Sequence, residues 1–374
     1  MHYLDNAATT RVTDEVADVA DRVLRQHFAN PSSLYDIGME SENVLRDARA
    51  AVAKSLGCTA AEIRFTASGT EGSNLAVRGA AAARRAWADH IVVTGYEHPC
   101  VQSTVAALEK EGWRVSVIPP DAAGHVALAA LVDAVTPATA LCTAMHVNNE
   151  VGSVLDAAAL AAAVKAKNPR TAVHIDGVQA WGKVPVRLAA TKIDTYAVSG
   201  HKVHAPKGIG ALYVRCGCNL AQTLYGGHQE QGFRPGTENV AYAAAMAKAI
   251  GLLCAKHTDF SPLRAMLLDG VRALPGAVCN SPADAWPGIV NFSLPGLRSE
   301  TLLHFLEERQ VYVSSGSACS KGEPSHTLAA MGLARDRADS ALRVSFSDET
   351  TPDDVAALLA ALNEAVRVLQ RAHS

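Results

Sequence analysis

Several segments of this sequence place a reactive or ligand-binding side chain directly after a short apolar run. Lys202 closes Ser199-Gly200-His201-Lys202, which follows the run Thr195–Ser199 and precedes Gly208-Ile209-Gly210. A lysine in a tight turn at a strand end is partly desolvated. That lowers its proton affinity and lets the amine attack a carbonyl to form a Schiff base. Taken alone, it reads more readily as a solvated surface lysine. Thr66-Ala67-Ser68-Gly69-Thr70-Glu71 joins another apolar run to a helical pattern. Gly69 allows close backbone approach, the helix start offers unpaired N–H groups, and Thr70 adds a hydroxyl. Such a segment can hold a phosphate or be no more than a helix cap. It matches neither the GxxxxGK[ST] loop nor the GxGxxG fingerprint. Asp176 ends Val173-His174-Ile175-Asp176, with Gln179 a short turn later. A carboxylate at the end of a buried strand needs a positive partner. A pyridinium nitrogen would be one, kept protonated and able to accept electrons; Asp176 could instead cap the next helix.

His98, in Tyr96-Glu97-His98-Pro99, could stack on an aromatic cofactor and move protons. His146-Val147-Asn148-Asn149-Glu150 is a further polar cluster at a strand end, and in a chain with 14 histidines either histidine alone reads as structural. Cys319 lies in the small-residue stretch Val313–Gly322. Exposure there, with Lys321 nearby, would favour the thiolate. Arg343 could grip a carboxylate through two parallel hydrogen bonds, or form a surface ion pair. Most of the remaining cysteines sit in apolar contexts and read as packing residues. Cys216-Gly217-Cys218, the one close pair, reads as a loop, because two thiols cannot complete a four-ligand metal site. Scattered cysteines without paired spacing argue for a reducing compartment and against disulfides.

These residues need a frame. Short β-branched or apolar runs recur at Ile63–Thr66, Ile91–Thr94, Val115–Ile118, Leu141–Val147, Val173–Asp176, Thr195–Ser199 and Ala211–Val214. Helical patterns such as Glu71–Trp87, Cys100–Glu111 and Asp156–Lys167 lie between them. The alternation predicts an α/β unit with a mostly parallel central sheet flanked by helices. Ligands in such a unit collect beyond the carboxyl ends of the strands. We assign it to residues 1–256, with the first residues able to pack against a second unit. That unit, 257–374, reads as a smaller α+β domain carrying the Cys319 loop. Its predicted strands are Ile289–Ser293, Val311–Ser314 and Leu342–Phe346. Its helices are Glu300–Arg309, capped by Ser299, and Asp353–Leu369, entered through Thr351 and Pro352.

A length of 374 residues suits two domains. Composition is ordinary for a globular protein, and a net charge of −3 offers no basic surface for nucleic acid or membrane. Acidic residues interrupt the N-terminus as a secretion signal, and no apolar run reaches the length of a membrane span. A cytoplasmic protein is expected.

In this order, the segments resemble the NifS/IscS-type cysteine desulfurases of the class V aminotransferase group, which are fold-type I pyridoxal-phosphate enzymes. The likeness runs from Tyr3-Leu4-Asp5-Asn6-Ala7-Ala8-Thr9-Thr10 through Asn30-Pro31-Ser32-Ser33 to Leu342-Arg343-Val344-Ser345. Its most specific parts are His146–Glu150, Ser199–Lys202, Pro206–Gly210, Arg234-Pro235-Gly236-Thr237-Glu238-Asn239 and Ser314–Cys319. The resemblance implies pyridoxal 5′-phosphate bound through Lys202, stacked on by His98, with its ring nitrogen paired to Asp176. It implies that Gln179 and Asn149 contact the ring hydroxyl region, and that Gly69, Thr70, Ser199 and His201 hold the phosphate. Thr237 would reach the phosphate of the other subunit, making the active unit a homodimer. Arg343, with Asn149, would bind the substrate L-cysteine. Cys319 would take its sulfur as a persulfide, leaving L-alanine, and hand it to an acceptor protein in an iron–sulfur, thio-cofactor or tRNA pathway.

Three departures from the family pattern stand out. Tyr35 takes the place of a common histidine, and Ser347-Asp348-Glu349 replaces a Gly-Arg-like segment. Between Cys319 and Pro324 the chain is about two residues short, which trims the reach by about 7 Å and favours acceptors docked close to the site, an assembling cluster or a small thiol. The competing reading on the same fold is a β-eliminating carbon–sulfur or selenocysteine lyase. A non-catalytic scaffold is disfavoured by the joint presence of Lys202, Asp176, His98 and Cys319.

Overall fold

β-Branched runs and alanine-rich helices alternate through the first two thirds of the chain, and the computed structural model, which describes residues 1–315 and 325–371, folds them into one sheet. The chain opens on β1 (His2–Tyr3), α1 (Asp14–Gln26) and α2 (Asp36–Leu56). Seven strands follow: β2 (Ile63–Thr66), β3 (His90–Thr94), β4 (Arg114–Ile118), β5 (Thr139–Met145), β6 (Ala172–Asp176), β7 (Thr195–Ser199) and β8 (Gly210–Val214). Among and after them run α3 (Gly69–Arg84), α4 (Pro99–Lys110), α5 (Leu128–Ala134), α6 (Ala157–Lys167) and α7 (Val240–Lys256). The sheet order is β2-β8-β7-β6-β5-β3-β4. Strands β7, β6, β5, β3 and β4 are parallel, and β8 lies antiparallel between β7 and β2.

Alternating side chains of these strands cover both faces. Val92, Cys142, Val173 and Tyr196 pack with residues of α2, α6 and α7. Ile91, Val93, Leu141 and Ala172 pack with α3 and α4. Each buried Val, Leu or Ile contributes roughly 1.5–3 kcal/mol, so the strand ends that carry the polar residues are rigidly held. Local signals start the helices: the Ser68 hydroxyl caps α3 by accepting the Glu71 N–H at 3.1 Å, and Pro99 opens α4. Gly57, at φ 62°, closes α2 in the left-handed region.

The rest of the chain adds α8 (Ser261–Arg272), β9 (Val278–Cys279), β10 (Ile289–Ser293), α9 (Ser299–Glu307), β11 (Val311–Tyr312) and β12 (Ser314–Ser315). It continues with α10 (His326–Ala330), α11 (Arg335–Asp339), β13 (Ala341–Ser345) and α12 (Pro352–Arg371). An antiparallel sheet, β12-β13-β10-β9, forms a second core with α8, α9 and α12 that contains Phe292, Leu302, Leu342 and Leu358. Leu4 and Ala7 belong to this core, β1 pairs with β11, and the Ser345 N–H donates to the Leu4 carbonyl at 2.7 Å. The boundary read from sequence falls in the connection between α7 and α8, where His257 turns the chain at φ 45°.

Three details differ from the sequence reading. The run Val311–Ser314 is split into β11 and β12, which pair with different strands. Ser299 is the first residue of α9, and Arg298 takes the cap with extended backbone and no side-chain bond. Cys279 is exposed on the edge strand β9, whereas Cys216 lies in the turn after β8, in keeping with the loop reading. Among the described residues no helix is long and apolar enough to cross a membrane, and no cluster of His, Cys, Asp or Glu is set to hold a metal ion.

Candidate active site

A cavity of about 660 Å³ opens beyond the carboxyl ends of the parallel strands. Gly69, Thr70, His98, Asn149, Asp176, Gln179, Ser199, His201, Lys202 and Arg343 all line it. Thr237 does not; it lies exposed in the segment leading into α7. Cys319 lies outside the described residues, although Ser325, shortly beyond it in sequence, lines the same cavity.

Lys202 sits in a 3₁₀ turn directly after β7. Its Nζ donates to the carbonyls of Ala7 and Ala8, both at 2.6 Å, so the N-terminal segment forms one wall around the amine. Gln179 is bound to the same wall: its Nε2 donates to Ala7 O at 2.8 Å, while its Oε1 accepts from Lys183 Nζ at 3.0 Å.

At the other end lie the start of α3 and the end of β7. The Ser199 hydroxyl is buried there with no hydrogen-bond partner among the described residues. A Cβ on Gly69 would meet Val178 Cγ2 at 2.5 Å and Ser199 Cβ at 3.3 Å, so glycine leaves the helix N-terminus open to a close-lying group. Free helical N–H groups, an unused hydroxyl and the Thr70 side chain fit a phosphate. Burial and the neighbouring Lys202, Lys207, Lys183 and His98 pull the His201 imidazole down to about 3, so it is neutral at pH 7.

His98 caps α4 with its ring: Nδ1 accepts the Cys100 N–H at 3.1 Å, which leaves the proton of the neutral ring on Nε2. Burial holds its proton affinity below the usual histidine value; Asp176 opposes this and Lys202 adds to it. Asp176 is 2% exposed and accepts the Val178 N–H at 3.0 Å. Burial raises its proton affinity against the opposing pull of His98, the Val178 N–H and Lys202. A protonated ring nitrogen would suit this buried carboxylate as a direct ionic partner. Glu97 beside it is held by the Thr94 hydroxyl, and burial chiefly pushes its carboxyl up to about 8.

Arg343, on β13 and 3% exposed, is held flat by two anchors: Asp5 at 2.7 Å and the Asn149 carbonyl at 3.0 Å. Its Nε has no partner among the described residues. Glu150 accepts from the Ser325 hydroxyl, which also caps α10. Asp5, Lys183, Glu97 and Glu150 are thus site neighbours that the motif reading did not single out. Asp5 and Glu150 lay inside quoted motifs, and Glu97 next to His98.

An amine, a buried carboxylate, an open helix start beside an unused hydroxyl and a histidine share this one cavity, and a group such as pyridoxal phosphate fits them. Residues 2–358 match the family model described as aminotransferase class-V. The chain belongs to that family. It is 39% identical to "Cysteine desulfurase 2" of Trichormus variabilis over 94% of this chain and 90% of that one. It is 35% identical to "Cysteine desulfurase IscS" of Clostridium botulinum over 98% and 94% of the two chains. A solved structure described as a NifS-like protein superposes with a TM-score of 0.92, at 34% identity over 98% of this chain and 99% of that one. As a class-V member of NifS/IscS type, the chain is a pyridoxal-phosphate-dependent enzyme with the α/β fold expected from its sequence.

Proposed function

We propose that this enzyme converts L-cysteine to L-alanine and passes the sulfur to Cys319 as a persulfide for delivery to an acceptor protein. The observation that carries the reading is the single cavity shared by Lys202, Asp176, His98 and Arg343. When bound, pyridoxal phosphate supplies an electron sink at the substrate α-carbon. Asp176 would keep its ring nitrogen protonated, Ser199, Thr70 and the start of α3 would hold its phosphate, and Gln179 and Asn149 would serve its ring hydroxyl. Arg343, fixed by Asp5, binds the substrate carboxylate. Lys202 and the Nε2 side of His98 carry protons to and from the substrate. The Cys319 thiolate attacks the substrate sulfur. A sulfur–sulfur bond forms, the carbon–sulfur bond breaks with its electron pair left on carbon, and a proton added there completes alanine.

We also place the enzyme in a homodimer. Large apolar side chains are exposed at Phe28, Leu34, Tyr35, Ile37, Met39 and Tyr225, with Leu34 96% accessible, and Thr237 stands outside its own cavity. The concentration of exposed apolar side chains in the stretch 28–39 supports an interface between copies. The described cysteines are all free, which fits a reducing cytoplasm.

Incubation with L-cysteine, with alanine quantified and thiols trapped for mass spectrometry, tests the reading. Alanine with one extra sulfur on Cys319 is the expected result. A Cys319→Ala variant that still turns over at the native rate, releasing sulfide, would instead establish a lyase.

A further inference from the structure

We propose that Lys183 is a positioning residue that fixes the Gln179 amide from behind the cofactor site. The proposal rests on reading the large cavity as the pyridoxal-phosphate site. An amide has a donor end and an acceptor end of nearly equal shape, so its neighbours decide which end faces a ligand. A charged lysine can only donate. With Lys183 Nζ at 3.0 Å, the oxygen of Gln179 must face it and the NH₂ group must face the other way. One N–H then goes to Ala7 O at 2.8 Å, and the second is left for an oxygen acceptor in the cavity. Reversed, the amide would present an oxygen to that acceptor and repel it.

The same Ala7 carbonyl accepts from Lys202 Nζ at 2.6 Å. Lys183, Gln179, Ala7 and Lys202 therefore form an unbroken hydrogen-bonded chain along one wall of the site. Lys183 is itself steadied by Trp286 of the second core, with Nζ 5.3 Å from the ring centroid. Burial and the nearby Lys202 and Arg343 lower the proton affinity of its amine. The neutral amine still donates, and the Ala7 carbonyl, which can only accept, keeps the Gln179 NH₂ group on its own side, so the orientation holds in either state.

The test is a double-mutant cycle on the dissociation constant of pyridoxal phosphate, read from the visible absorbance of the bound cofactor in Lys183→Met, Gln179→Leu and the double variant. Lys183→Met should weaken binding about tenfold, the scale of one lost hydrogen bond. The double variant should bind no more weakly than Gln179→Leu alone. Lys183→Arg, which keeps the donor, should recover most of the affinity. A merely structural lysine would lower affinity equally in both backgrounds, and that result overturns the proposal. So does native affinity in Lys183→Met, or tenfold weakening in a folded Lys183→Arg. If the native chain binds no cofactor, the reading of the cavity falls and takes the proposal with it; if it binds and the cycle is additive, only the proposal falls.

Discussion

Arg343 is prepared before any substrate arrives. Asp5 and the Asn149 carbonyl hold two of its nitrogens and leave Nε uncommitted. Lysine cannot reproduce that planar, multi-point grip. Arg343→Lys should raise KM for L-cysteine on the order of tenfold to a hundredfold, the scale of a weakened charged pair, with a smaller change in kcat; steady-state kinetics checks the split. His98 reaches the cavity with its proton on Nε2 because Nδ1 is committed to the helix cap. His98→Ala should lower kcat by about 10²-fold, the scale of a lost general acid–base group. The motif positions of both residues were legible in sequence. The Asp5–Arg343 pair was not, because its partners stand 338 positions apart and meet only when β13 runs beside the N-terminus.

At the scale of elements, the strand ends present the chemistry and tight packing aims them. Gly177 follows β6 directly, and a Cβ there would meet the Tyr196 ring at 1.8 Å. That ring is fixed, since its hydroxyl binds His146 Nδ1 at 2.8 Å. Gly177→Ala should therefore lower stability by about 1–3 kcal/mol, the usual cost of overpacking, measured as a fall in the denaturant midpoint. The inner strands β3, β5, β6 and β7 were legible because both faces are covered, and the partly exposed edge strand β4 through its β-branched residues. The division of Val311–Ser314 into two strands was not, since a two-residue pairing leaves no periodic trace. The α9 cap misled for a similar reason: Ser299 has the right chemistry for a cap, but tertiary packing starts the helix one residue earlier than a Ser299 cap requires.

Across the whole molecule, the departure Ser347-Asp348-Glu349 acts as a clasp. Asp348 lies 2.9 Å from His204 Nε2 and 2.5 Å from Lys256 Nζ, and Arg11 donates to Glu349 at 3.1 Å. His204 Nδ1 donates to the Arg11 carbonyl at 2.8 Å. One turn thus ties the N-terminal segment, the Lys202 loop and the end of α7 to the second core. His204 and Lys256 hold the Asp348 carboxyl well below the usual carboxylate range. A depressed carboxyl stabilises the fold above its unfolded value, about 3.9, and that contribution is lost as pH falls through the folded value. Asp348→Asn should lower Tm at pH 7, with the gap to the native protein narrowing as the pH drops below about 4. Differential scanning calorimetry across that range checks the sign.

The most direct test of the account concerns the amine after β7. The purified holoenzyme is reduced with borohydride, digested and mapped by mass spectrometry. The account predicts a pyridoxyl group on the peptide containing Lys202 and on no other lysine. A pyridoxyl group on Lys183 or elsewhere, or a protein that carries none after reconstitution with pyridoxal phosphate, would contradict it.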